Sequence, residues 1–216
     1  MRTTPRSSVL FAFVALVSAG AAVPSRSASA CINSVERTTD QDVMLLVDVE
    51  DDLAHGKPGA AVQKTLVRFT QAKKELSDDR LERRAQQVIA VAVVRMEGLL
   101  AVRGFEASTS AERRMNLEWA VATLRGASEK EPTSPILRSQ LAEALSTLPE
   151  HQAEARAILE DLAQRDVVPT PYAYKALARL RHWSGDDAGE RVALNSADRL
   201  RIRSAPLPTD DAAWGF

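Results

Sequence analysis

The sequence predicts an all-α fold of about four antiparallel helix pairs stacked in series. Three observations carry that prediction. Apolar residues fall at i, i+3, i+4 and i+7 along most of the chain, the spacing that gathers them on one face of a helix. Ser134-Pro135 and Thr170-Pro171 lie 36 residues apart (170 − 134), and each sets a good N-cap before a proline at the first helical position. Behind each cap a stripe of apolar residues runs to a break, and a second helix follows at a matching distance.

The first 30 residues read as a secretory leader rather than as part of the fold. Arg2 and Arg6 precede an apolar run from Val9 to Leu16 that continues through small residues, and Ala28-Ser29-Ala30 closes it. The run is shorter than the roughly 20 residues a membrane span needs. Cys31, the single cysteine of the 216-residue chain, would then be the first residue after cleavage. This resembles a relaxed bacterial lipobox, with Ala28 where leucine is usual. Lipid on Cys31 is one expectation and a free N-terminal cysteine the other. One cysteine excludes an intrachain disulfide and a thiolate metal cluster.

Of 28 basic residues, Arg2, Arg6 and Arg26 lie in the leader, so 25 remain against 29 acidic ones, a net charge of −4. That balance argues against nucleic acid as a partner, which a basic excess would mark. It also leaves no general attraction to an anionic membrane, so lipid on Cys31 would be the sole membrane link.

Residues 31–38 are expected to be a linker, 39–203 the helical domain and 204–216 a disordered tail. The first helix should start near Thr39 or Asp40 with Val43, Leu46, Val49 and Leu53 inward, and end at Gly56 and Pro58. The second should run from about Pro58 to Leu76. The third should span Asp79 to Arg103 around "VIAVAVV", Val88 to Val94, whose apolar character on every side marks the most enclosed element. Thr109 to Glu112 has the spacing of a capping box and starts a fourth helix carrying Ala120, Leu124 and Ala127.

The later pairs repeat one another. Leu137, Leu141, Ala144, Leu145 and Leu148 form one stripe, and Ala173, Ala176, Leu177 and Leu180 another. Leu141-Ala142 and Leu177-Ala178 are again 36 apart. In the second helices, Ala155, Leu159 and Leu162 repeat Ala120, Leu124 and Ala127 at a spacing of 35, and Leu194 follows Leu159 at the same spacing. Val192, Ala193, Leu194, Ala197 and Leu200 are expected inward, with a capping box from Asp187 to Glu190.

These residues resemble the tetratricopeptide repeat (TPR), whose unit is about 34 residues. Leu141-Ala142 and Leu177-Ala178 stand at its Leu-Gly pair. Ala120, Leu124 and Pro132 match its second-helix pattern. Arg138 and Tyr174 stand at the place of its signature tryptophan, and Arg181 replaces the motif's aromatic. The resemblance implies a right-handed α-solenoid whose first helices line a concave groove.

It also implies a function: an exported, non-enzymatic module that binds a protein or peptide through the groove. A periplasmic enzyme on a helical solenoid and a permanent subunit of an envelope complex are the alternatives. In TPR proteins that grip acidic peptide tails, basic residues occupy the places of Lys175 and Arg179. The implied groove then comprises Tyr172, Lys175, Arg179 and His182 in the last pair and Ser139 and Glu143, with Ser146, in the preceding one.

No catalytic constellation, cofactor or metal site is expected. "HGKPGAA" lacks P-loop spacing, and His55, His151 and His182 form neither HExxH nor an i, i+4 pair. His55 and His182 are expected near helix C-termini, where the dipole favours them. Asp48, Glu50, Asp51 and Asp52 lack the glycine and terminal glutamate of a calcium loop and read as a solvated face.

Overall fold

A computed structural model describes residues 28–204 apart from 71, 72, 74, 100, 101, 103 and 104, with side chains from 40 to 202. The described residues are all-α and contain no strand. The helices are α1 (Ala28–Ala54), α2 (Pro58–Arg68), α3 (Arg80–Arg95), α4 (Ser110–Lys130), α5 (Pro135–Leu145), α6 (Gln152–Gln164), α7 (Pro171–Trp183) and α8 (Asp187–Ser204). A 3-10 turn, Pro149–His151, precedes α6. None of them is long and apolar enough to cross a membrane. The leader run from Val9 to Leu16 and most of the tail lie outside the described residues.

The chain forms two units that meet in sequence at Arg37. On the N-terminal side, the described residues 28–37 are helical. This differs from the expected linker at 31–38 and from a helix start near Thr39. Between Pro24 and Gly56 the sequence holds neither glycine nor proline, so nothing local stops the helix.

The unit from Thr38 onward holds the core. Leu46, Val49 and Leu53 of α1 are buried, whereas Val43, expected inward, is 37% exposed. The turn to α2 closes with Gly56 in the left-handed region, φ 75°, and Lys57 N–H bonds to Asp52 C=O at 2.8 Å. That φ favours glycine, and a Cβ there would come 2.8 Å from the hydroxyl of Tyr172.

α2 stops at Arg68 rather than Leu76. The following backbone is satisfied from outside: the buried Gln86 amide accepts from Ser77 N–H at 2.8 Å and donates to Glu75 C=O at 3.0 Å. Leu76 instead packs over Gly126 of α4, where a Cβ would stand 3.0 Å from it.

α3 starts under its Asp79 cap, which accepts from the N–H groups of Leu81 and Glu82 at 2.9 Å. Every residue from Val88 to Val94 is buried, as their all-round apolar character requires. The helix ends at Arg95 rather than Arg103. Gly98 turns the chain with φ 77°, and a Cβ there would lie 2.5 Å from the Arg113 carbonyl. Buried Asn116 then fastens the next segment to α4, donating to the carbonyls of Gly98 and Phe105 at 3.0 Å.

At the start of α4 the capping box is complete. Glu112 accepts from the N–H groups of Ser108 and Thr109, at 2.7 and 2.9 Å, and from the Ser108 hydroxyl. These donors, the Ser108 backbone first, hold its carboxyl down at about 2. Ser134 and Thr170 cap α5 and α7 as expected, through the N–H groups of Leu137 and Ala173.

The two stripes behind those caps are buried without exception, and so are Ala120, Leu124, Ala127, Ala155, Leu159 and Leu162. Burying one leucine is worth roughly 1.5–3 kcal/mol, so this register is a principal source of stability.

The last helix meets the expectation in part. Ala193 and Ala197 are buried at 1% and 2%, while Leu194 is 41% and Val192 59% exposed. The buried successor of Leu159 is therefore Ala193, 34 residues on (193 − 159). The cap is also shifted: Asp186, not Asp187, accepts from Gly189 N–H at 2.9 Å.

Packing follows chain order. α3 lies on α4, α4 on α5, α5 on α6, α6 on α7 and α7 on α8. The alternate helices α3, α5 and α7 also touch in series.

Candidate functional site

The polar sides of α5 and α7 are the place to look, because the sequence puts all six groove residues there. Relative to the apolar stripe of α7, Tyr172, Lys175, Arg179 and His182 lie opposite, at i, i+3, i+7 and i+10. Lys175, Arg179 and His182 are exposed and Tyr172 is partly buried. The Lys175 ammonium sits 5.7 Å from the Tyr172 ring centre. Arg179 has no ion pair among the described residues.

On α5 the outcome differs. Ser139, Glu143 and Ser146 are 1%, 4% and 1% exposed, so they do not line an open surface. Glu143 is covered by Arg95 at the end of α3, a residue that no sequence motif marks. Its Nε donates to Glu143 at 3.0 Å, and its Nη1 donates to the Leu53 carbonyl at 2.7 Å. Its guanidinium also lies 3.8 Å over the Tyr172 ring. Ser139 and Ser146 turn inward too, donating to the carbonyls of Ile136 and Glu143 at 2.8 and 2.7 Å.

Arg95 and Glu143 side chains are 7% and 6% exposed. A buried pair of this kind adds little net stability, but losing one partner strands the other charge. The region is thus a closed polar joint of α1, α3, α5 and α7. Of the residues named from sequence, Tyr172 and Glu143 meet through Arg95. Lys175, Arg179 and His182 remain at an open edge.

Arg181 at the end of α7 is also held by charge. It donates to Glu160 at 3.1 and 2.9 Å and to the Gly189 carbonyl at 2.9 Å. The Arg181 hydrogen bond, against some opposing desolvation, holds the Glu160 carboxyl below its usual range.

The acidic run on α1 is likewise more engaged than a solvated face. Lys64 pairs with Asp48 and Asp52 at 2.6 and 2.7 Å, and those carboxylates, Asp48 first, push its ammonium up to about 12. Glu50 takes Arg84 of α3 in two hydrogen bonds.

A separate cleft of about 660 Å³ lies beside Asp42, Arg68, Phe69, Glu75, Asp79 and Gln86. Its polar groups are largely committed: Arg68 holds Asp42 at 2.7 and 2.9 Å, Asp79 caps α3, and Gln86 holds the α2–α3 loop.

The histidines sit at helix ends. His55 contacts the Asp51 carbonyl at 2.9 Å, and His182 Nδ1 contacts Glu190 at 2.9 Å. Cys31 falls within α1, outside the residues whose side chains are described. A scan of family models, a search of curated proteins and a search of solved structures each return no match.

Proposed function

We propose that the chain is an exported, non-enzymatic interaction module, a right-handed TPR-like α-solenoid that holds an acidic protein segment against the open edge of α7. The observation that carries this reading is the pair Lys175 and Arg179. They stand one helical turn apart and exposed, and Lys175 lies near a tyrosine ring that Arg95 also contacts. Two such cations can converge on one carboxylate while the ring packs against its chain. The serial contact of α3, α5 and α7, each also packed on the helix that follows it, supports the solenoid half of the proposal. Because the α5 side is closed, the binding edge is short and centred on the last helix pair.

The test is charge reversal. Lys175→Glu with Arg179→Glu should abolish capture of the partner, cross-linked in the envelope fraction of the native host, and leave the melting temperature nearly unchanged. Exposed cations contribute little to folding. Capture by the unaltered chain should weaken as salt rises, since such contacts are screened over about 8 Å at physiological ionic strength. Undiminished capture by the double variant would reject the site.

A permanent subunit of an envelope complex is the second reading. Trp183, Val192, Leu194 and Ile202 favour it, since all are exposed at the end of the array, between 41% and 70%. A chain that stays monomeric and soluble when purified alone would count against it.

A further inference from the structure

We infer that His182, Asp187 and Glu190 form a binding site for a divalent transition-metal ion, with zinc the natural occupant. The ligand atoms of these three side chains all lie within 4.8 Å of one another. His182 closes α7, and the two acids belong to the first turn of α8, so the donors face each other across the Ser184–Asp186 turn. Gly185, with φ 76°, sets the sharpness of that turn.

The geometry is close to what a metal demands. Two donors bound about 2.1 Å from a tetrahedral zinc ion stand roughly 3.4 Å apart. His182 Nδ1 and Glu190 Oε2 are already 2.9 Å apart. Asp187 has only to swing its carboxylate, and it is free to do so. It is exposed, it has no partner among the described residues, and the capping of α8 is done by Asp186.

The neighbouring cation, Arg181, is committed to Glu160, to the Gly189 carbonyl and, at 4.0 Å, to Asp186 rather than to the three donors. One imidazole with two carboxylates suits zinc and its neighbours, whereas magnesium and calcium prefer oxygen alone. Three protein donors leave a further position open to water or to a side chain of another molecule. The spacing i, i+5, i+8 matches no linear zinc motif, which is why the sequence did not point to it.

The experiment is calorimetric titration of the untagged full chain with zinc chloride. One ion should bind saturably, with affinity at least tenfold lower in His182→Ala and in Glu190→Gln. Zinc should raise the melting temperature of the unaltered chain and not of His182→Ala. The double variant His55→Ala/His151→Ala and the variant Cys31→Ser should bind as the unaltered chain does. Circular dichroism checks that each variant folds. Absence of saturable binding overturns the proposal, as does undiminished binding by His182→Ala. Equal affinity for magnesium also overturns it, because the carboxylates alone would then account for the uptake.

Discussion

α5 and α7 are equivalent helices in successive pairs, yet their polar sides have opposite fates. Both begin with a capped proline, and both bury a leucine-alanine pair 36 residues apart. Ser139, Glu143 and Ser146 of α5 occupy the places of Lys175, Arg179 and His182 of α7. The first three are buried and the last three exposed. At Glu143 the difference comes from Arg95, which reaches it from an element far away in sequence while also donating to the Leu53 carbonyl. A period therefore tells which residues turn to the core, but not whether the opposite side meets water or another helix.

Substitutions can break this comparison, and the largest effect is expected where the helices agree. Leu141→Asp and Leu177→Asp each place an unpaired charge in the core and should cost several kcal/mol, enough to prevent folding of a marginally stable domain. Loss of the cooperative thermal transition is the measurement.

Next is the polar joint. Glu143→Ala strands Arg95 in a dry site and should cost about 3–5 kcal/mol. Ser139→Asp, which the sequence alone would place in solvent, should also cost several kcal/mol. The equivalent changes on α7, Arg179→Ala and Lys175→Asp, should stay within about 0.5 kcal/mol. Urea denaturation of the four variants decides it. Similar losses on both helices would mean that α7 is as enclosed as α5.

A third test concerns the one-residue shift in the last pair. Ala193→Asp should destabilise by several kcal/mol and Leu194→Asp by less than about 1. The reverse order in thermal melts would restore the 35-residue register.

The smallest effect is a pH dependence. Glu112 has a lowered folded-state pKa, so it binds a proton less readily folded than unfolded. Its contribution is complete above the unfolded value near 4.5 and is lost as pH falls toward about 2. Glu112→Gln should flatten the melting curve's decline across that window. An unaltered slope would mean that the capping box contributes nothing.

What the sequence made legible follows from how local each cause is. Caps need only the residue and its next three neighbours, so Thr109, Ser134 and Thr170 act where they were expected. Apolar period held wherever helices were flanked on both sides. It failed at Val43 on α1 and at Val192 and Leu194 on α8, the first and last of the helices. The ends of α2 and α3 were misjudged because Gln86, Leu76 and the Gly98–Arg113 approach act across distance. Arg95 was invisible for the same reason: nothing near it in sequence announces Glu143, Leu53 or Tyr172.

Gly56 has a consequence for how the chain comes to be folded. It lies against Tyr172, 116 residues further on (172 − 56). In a plain array each unit touches its neighbours, and order can spread from any point. Here the first corner finds its last partner only when α7 arrives. On a ribosome, the early helices must wait for most of the chain before that clasp can shut. Such a long closure is expected to slow the final step and to couple the first corner to α7.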